Sequence, residues 1–319
     1  AASTPSPVAV FPSQHSFATR RAPVASFTRL HQAAQIRDAH TDAFIVAGET
    51  SAEVATPGMD EAHPEGALEA AGEPSAGDLP SDGDTHAADR LPGGAHMGSL
   101  LHDILERIDF AAVRGAPEPA ALDGASRNLI GELMRRYGVD PVWAPDLGEM
   151  VWNTLTTPIP CGEGTLVFGD LPPEARLHEP EFYCHLTGAA PPITRTEGGY
   201  LRGFVDLIFL FEGRYYILDW KSNRLEAGYD GEAVAASMAA ADYHLQYRIY
   251  TLATLRWLGQ VLGTRFDPRR HFGGVYYIYL RGMGRAPGHG VFFAPPEEID
   301  AVGALEADLD RRLEASHGR

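Results

Sequence analysis

Two apolar stretches joined by a turn carry three charges that a folded core must accommodate, and nothing else in the 319 residues constrains the fold as tightly. Gly203-Phe204-Val205-Asp206-Leu207-Ile208-Phe209-Leu210-Phe211 is rich in strand formers. Glu212-Gly213-Arg214 reads as a turn, and Tyr215-Tyr216-Ile217-Leu218-Asp219-Trp220-Lys221 returns. The pattern predicts a hairpin of two largely buried strands. Successive side chains on a strand point to opposite faces, so Asp219 and Lys221 share one face, and the turn brings Asp206 near Asp219. Isolated buried carboxylates neutralise, pair or coordinate a metal. Two readings follow. One is a buried Asp–Lys ion pair, with Asp206 satisfied by backbone amides. The other is a cage for a hard cation such as Mg²⁺, which takes oxygen ligands and often needs only one or two carboxylates.

Composition bears on that choice. Of 26 basic residues, Lys221 is the only lysine and the other 25 are arginine. A lysine is a compact point charge able to release a proton on burial, whereas arginine is a planar fork that stays charged. Its survival at this position points to a task a guanidinium cannot perform.

The net charge of −17 argues against a nucleic-acid partner until its distribution is considered. Residues 41–90 hold 12 acids against Arg90 alone, a net of −11 that leaves −6 for the rest. That stretch is poor in aromatics and rich in Pro, Gly and Ala, the composition of a solvated, disordered insert. The remainder is nearly balanced and able to present a basic face. No run of 18 apolar residues occurs, so no membrane span is expected, and the N-terminus lacks the pattern of a secretory signal. Cys161 and Cys184 make neither a disulfide framework nor a four-cysteine metal or cluster site, which fits a reducing, cytoplasmic setting.

Along the chain, Val24–Leu30 reads as a strand end or cap. Met97–Ile108 has apolar residues at 101, 104, 105 and 108, a helical stripe, with Ser99 as N-cap. Further helices are expected at about 119–137 and 145–156, strand character within 163–187, a long helix over 232–262, a strand over 274–280 and a C-terminal helix over 296–315. The order predicts a mixed α/β sheet covered by helices.

Gly203-Phe204-Val205-Asp206 followed by Leu218-Asp219-Trp220-Lys221-Ser222-Asn223 resembles the signature of the PD-(D/E)XK nuclease superfamily. The flanks Gly98–His102, Tyr243–Ala253 and His271–Gly282 resemble its RecB-type branch, and together the matches span most of 93–285 in the family's order. The resemblance implies a restriction-endonuclease-like mixed sheet flanked by helices, with residues 1–48 as an N-terminal segment, 49–92 as the acidic insert and 93–319 as the nuclease core. It implies Mg²⁺ bound by His102, Asp206 and Asp219, and catalysis by Asp206, Asp219 and Lys221. Gln246 and Tyr250 are spaced i, i+4 on one helix face; the resemblance makes them site-lining, and their bland alternative is the polar flank of a core helix. Glu179 and Glu181 are equally placed to be the acid preceding the hairpin. Arg202, Arg214, Arg224 and Arg248 lie around the site in sequence, as phosphate contacts or as a solvated face.

The activity implied is Mg²⁺-dependent hydrolysis of DNA phosphodiesters within a RecBCD-type helicase–nuclease, with DNA ends and the other subunits as partners. No Gly-x-x-x-x-Gly-Lys-Ser/Thr loop is present, so an ATP motor has to lie elsewhere. The rival readings are a stand-alone Cas4-like or AddAB-type exonuclease, the first disfavoured by the missing cysteine cluster, and a catalytically silent DNA-binding domain. Lys221→Ala or Lys221→Arg is expected to abolish cleavage without unfolding the chain.

Overall fold

The computed structural model describes residues 24–25, 86–186, 199–298, 300 and 303. The expected insert at 49–92 lies outside them except for its end, and the C-terminal helix at 296–315 lies largely outside. In chain order the elements are β1 (Val24–Ala25), α1 (Ala87–Arg90), α2 (Ala95–Arg107), α3 (Phe110–Gly115), α4 (Gly124–Arg136), α5 (Ala144–Thr156), β2 (Ile159–Cys161) and β3 (Gly164–Leu166). They continue with β4 (Arg176–His178), β5 (Glu181–Leu186), β6 (Gly199–Phe204), β7 (Leu207–Phe211), β8 (Arg214–Lys221), α6 (Gly231–Ala240), α7 (Tyr243–Leu262), α8 (Pro268–His271), β9 (Phe272–Tyr279) and β10 (Val291–Ala294).

The central sheet has five strands in the order β10-β9-β8-β7-β4. It is mixed: β8 and β9 run parallel, joined through α6 and α7, and the other neighbours are antiparallel. Alternation along β8 divides the core. Tyr216, Leu218 and Trp220 join one apolar cluster, with Leu100, Leu101 and Ile104 of α2 and Leu147 and Val151 of α5. Tyr215 and Ile217 join the other, with Val234 and Met238 of α6 and Tyr247 and Leu252 of α7. Asp219 and Lys221 share the parity of Ile217, so they face α7. The fold class is as expected, a mixed sheet flanked by helices.

Four details differ from the sequence expectation. The stretch 203–211 is two strands: β6 pairs with β5 and β1 in a second sheet, and β7 belongs to the central one. At the break, the Val205 amide donates to the Pro180 carbonyl at 3.3 Å and the Glu179 amide to the Asp206 carbonyl at 3.1 Å. A neighbouring corner thus satisfies the backbone that the ladder releases.

The hairpin turn is tighter than expected. Phe211 pairs with Arg214, leaving Glu212 (φ 48°) and Gly213 (φ 77°) as a turn with both central residues left-handed, the form whose twist matches a β-hairpin. The helix expected from Met97 starts at Ala95 behind Gly94, whose φ of 103° turns the chain into it, so Ser99 lies inside the helix instead of capping it. The long helix is two, broken at Asp242 in a left-handed conformation (φ 52°).

Residues 86–92, at the end of the expected insert, are ordered through arginine. The Arg281 side chain is 1% exposed. Its guanidinium donates to the carbonyls of Ser222 (2.9 Å), Leu91 (3.0 Å), Pro92 (2.6 Å) and Ala88. Arg224 donates to the Asp89 carbonyl and Arg285 pairs with the Asp89 carboxylate. These cations cap the carbonyls at the end of α1. They bind the approach to α2 onto the residue that follows Lys221.

Candidate active site

Asp206 sits in the linker between β6 and β7. Its Oδ2 accepts the Trp220 backbone N–H at 2.6 Å, and its Oδ1 lies 3.5 Å from His102 Nδ1. His102 projects from α2, where it is 4% exposed. α2 packs so closely on the end of β8 that a Cβ at Gly98 would lie 2.9 Å from Ser222 Oγ, which explains a glycine one turn before the histidine. Burial pushes the Asp206 carboxyl up, but the His102 charge and hydrogen bond, the Trp220 amide and Lys221 together hold it below the usual carboxylate range.

Glu179 completes this group. One ligand atom each from His102, Glu179 and Asp206 lie within 4.8 Å of one another. Glu179 holds a positive φ of 47° immediately before Pro180, a strained state for a residue with a Cβ that precedes proline. Burial, and then the like charge of Asp206, push its carboxyl up to about 9. One imidazole and two carboxylates, one with its pKa raised by burial and then by the charge of the other, are a donor set that a divalent cation stabilises by offsetting both effects. These residues fit a metal on the chemistry of their own crowding. Glu181 is exposed, on β5 opposite Phe204, outside that group.

Asp219, expected among the metal ligands, also lies outside the group of three. Its Oδ2 is 2.8 Å from Lys221 Nζ, with the two side chains 2% and 0% exposed. Lys221 Nζ also donates to Gln246 Oε1 at 3.4 Å. Gln246 accepts the Tyr277 hydroxyl at 2.9 Å and donates through Nε2 to the Tyr250 hydroxyl at 3.0 Å. Tyr250 meets the Phe182 ring edge-on at 5.5 Å.

Of the arginines near the site in sequence, Arg214 donates to the Phe272 carbonyl at the far end of β8 and Arg224 is engaged with α1. The Arg202 side chain lies outside the described residues. Sequence reasoning missed Tyr243, whose ring centre is 3.9 Å from Lys221 Nζ, and Tyr277, at 5.3 Å. Tyr243 precedes Gln246 by three residues, the one signal that placed it on the same helix face.

Comparison with known proteins places the chain in a family. The family model of the PD-(D/E)XK nuclease superfamily matches residues 79–318. The chain is 33% identical over 231 residues to the RecBCD enzyme subunit RecB of Escherichia coli, covering 65% of this chain and 18% of that protein. It is 30% identical over 239 residues to the RecB subunit of Haemophilus influenzae (66% and 19%), and 29% identical over 282 residues to that of Mycobacterium tuberculosis (69% and 24%). The chain thus spans between 18% and 24% of the length of these relatives. With more than half of its residues matched by the family model, and with a mixed five-stranded sheet flanked by helices, the chain belongs to the PD-(D/E)XK nuclease superfamily.

Proposed function

We propose that the chain is the metal-dependent nuclease region of a RecBCD-type helicase–nuclease, hydrolysing DNA phosphodiesters during double-strand break repair and recombination. The observation that carries this reading is the meeting of two clusters at one end of β8: the His102, Glu179 and Asp206 donor set, and the buried Asp219–Lys221 pair.

In this reading His102, Glu179 and Asp206 hold Mg²⁺. The ion supplies Lewis acidity that draws charge off a phosphodiester oxygen and makes water a better nucleophile. Asp219 fixes Lys221 and stands next to the donor set, where its charge already reaches Glu179. Lys221 supplies positive charge where the pentavalent centre gathers negative charge. Gln246, held by Tyr250 and Tyr277, keeps the ammonium from turning away. Its partners are DNA ends, a helicase region and the other subunits of such a complex, which sets its place in the cytoplasm. No helix among the described residues is long and apolar enough to cross a membrane.

The test is digestion of linear single- and double-stranded DNA by the full chain, with Mg²⁺ and with EDTA. Cleavage that needs Mg²⁺ and disappears in Lys221→Gln supports the reading; Mg²⁺-independent cleavage, or full activity in Lys221→Gln, overturns it. Glutamine is preferable to alanine because Lys221 is fully buried against Asp219. Either variant removes the counter-charge of a buried pair, at a cost of about 3–5 kcal/mol, so thermal unfolding of the variant is measured beside its activity.

A further inference from the structure

We infer that Tyr243 is a positioning residue for Lys221, and that the helix break at Asp242 is there to seat its ring. This inference deepens the nuclease reading and rests on it.

A buried ammonium brings three donors that need partners. Asp219 Oδ2 at 2.8 Å and Gln246 Oε1 at 3.4 Å are two oxygen acceptors, and the ring face of Tyr243, 3.9 Å from Nζ, lies close enough for a strong cation–π contact. Tyr277 supports both sides of this arrangement. Its ring is tilted against Tyr243 at 5.6 Å, and its hydroxyl orients Gln246. Four side chains from one strand, its parallel neighbour and one helix therefore define where the charge sits.

The second observation is the backbone. Asp242 is left-handed, its side chain makes no capping hydrogen bond, and neither Gly nor Pro stands between Ala240 and Tyr243 to force a break. A non-glycine residue in that region is strained by about 1 kcal/mol or more, and such strain persists where the surroundings over-determine it. What the break delivers is the phase of α7. Tyr243, Gln246 and Tyr250 fall at i, i+3 and i+7, one helical face, and all three are buried, the first two at the Lys221 head and the third holding Gln246. A helix continuing in the phase of α6 would not place that face there.

The experiment is steady-state cleavage of linear DNA by the full chain, with Mg²⁺ affinity measured by calorimetry on the same variants. Tyr243→Leu is expected to lower kcat about thirtyfold, equivalent to about 2 kcal/mol at 1.36 kcal/mol per factor of ten, the size of a desolvated cation–π contact. KM and Mg²⁺ affinity should stay within about twofold, because the ring acts on the position of the charge and not on substrate or metal. Tyr243→Met, a second variant without a ring, should behave alike. Tyr243→Phe, which keeps the ring face, should retain kcat to within about threefold. Unchanged kcat in the Leu and Met variants, equal losses in Phe and Leu, or parallel loss of Mg²⁺ affinity and thermal stability would each overturn the inference. Lys221→Gln is run alongside: if it still cleaves, the nuclease reading fails first, whereas its loss together with an active Tyr243→Leu removes the inference alone.

Discussion

Asp219 and Lys221 lie two residues apart on one strand and form a pair at 2.8 Å, with Gln246 and two tyrosine rings arranged around the ammonium. His102, Glu179 and Asp206 instead come from a helix, a strained corner and a linker between strands, and two of the three repel each other. The lysine half is internally neutralised; the acid half is assembled from distant segments and crowds two carboxyl groups together. The difference teaches where each half gets its order. Local strand geometry and packing fix the first, whereas the second depends on α2 being held against β8 and, in the proposed reading, on a cation to offset like charges.

The hardest way to break this comparison is to show that the halves are not both needed. Asp206→Asn and Lys221→Arg are each expected to reduce cleavage by about a thousandfold, the upper range for losing one preorganised electrostatic group. Asp206→Asn should also weaken Mg²⁺ binding in calorimetry, while Lys221→Arg should leave it intact. The Lys221 site is walled by Tyr243 and Tyr277, so a guanidinium has no room to sit where the ammonium does. An active Lys221→Arg would show that charge alone suffices.

A stability measurement tests the support of the acid half. Arg281→Ala takes the guanidinium donor from the carbonyls of Ser222, Ala88, Leu91 and Pro92, of which Leu91 keeps only the longer contact from Arg224 at 3.5 Å. A loss of about 3 kcal/mol or more in urea unfolding is expected, at about 1–3 kcal/mol per buried group left unsatisfied. Glu179→Gln sharpens the identity of the ligand set. It should lower Mg²⁺ affinity about tenfold to a hundredfold, with Glu181→Gln unaffected. Equal effects of the two would mean that the corner moves. The smallest effect is expected from Gly98→Ala, a loss of about 1 kcal/mol through contact with Ser222 Oγ. Ser222→Gly in the same chain should recover most of it if the clash is the cause.

How much of this was legible beforehand divides along the same line. β8 announces itself because its apolar alternation and its two charges are local properties of eight residues, so the shared face of Asp219 and Lys221 needed no tertiary information. The break at Val205–Asp206 was not legible. Strand formers run through it, and what ends the ladder is the Glu179-Pro180 corner, far away in sequence. The choice between Glu179 and Glu181 was open for the same reason: only the corner's geometry brings one toward Asp206 and leaves the other exposed on β5. Asp242 is a weaker break signal than Gly or Pro inside an otherwise helical run, so two helices read as one. Arginine 281 read as the tail of a strand motif, and its burial against four carbonyls depends on α1, which composition assigned to the insert.

The amino-acid sequence by itself determined the fold class, the strand that carries the lysine, and the one position where a lysine was kept among arginines. These follow from side-chain periodicity and charge, which act over a few residues. Tertiary structure alone decided which carboxylates converge. It brought Glu179 to His102 and Asp206 and left Asp219 outside that group, because burial and like-charge repulsion are set by neighbours in space and not by neighbours in the chain.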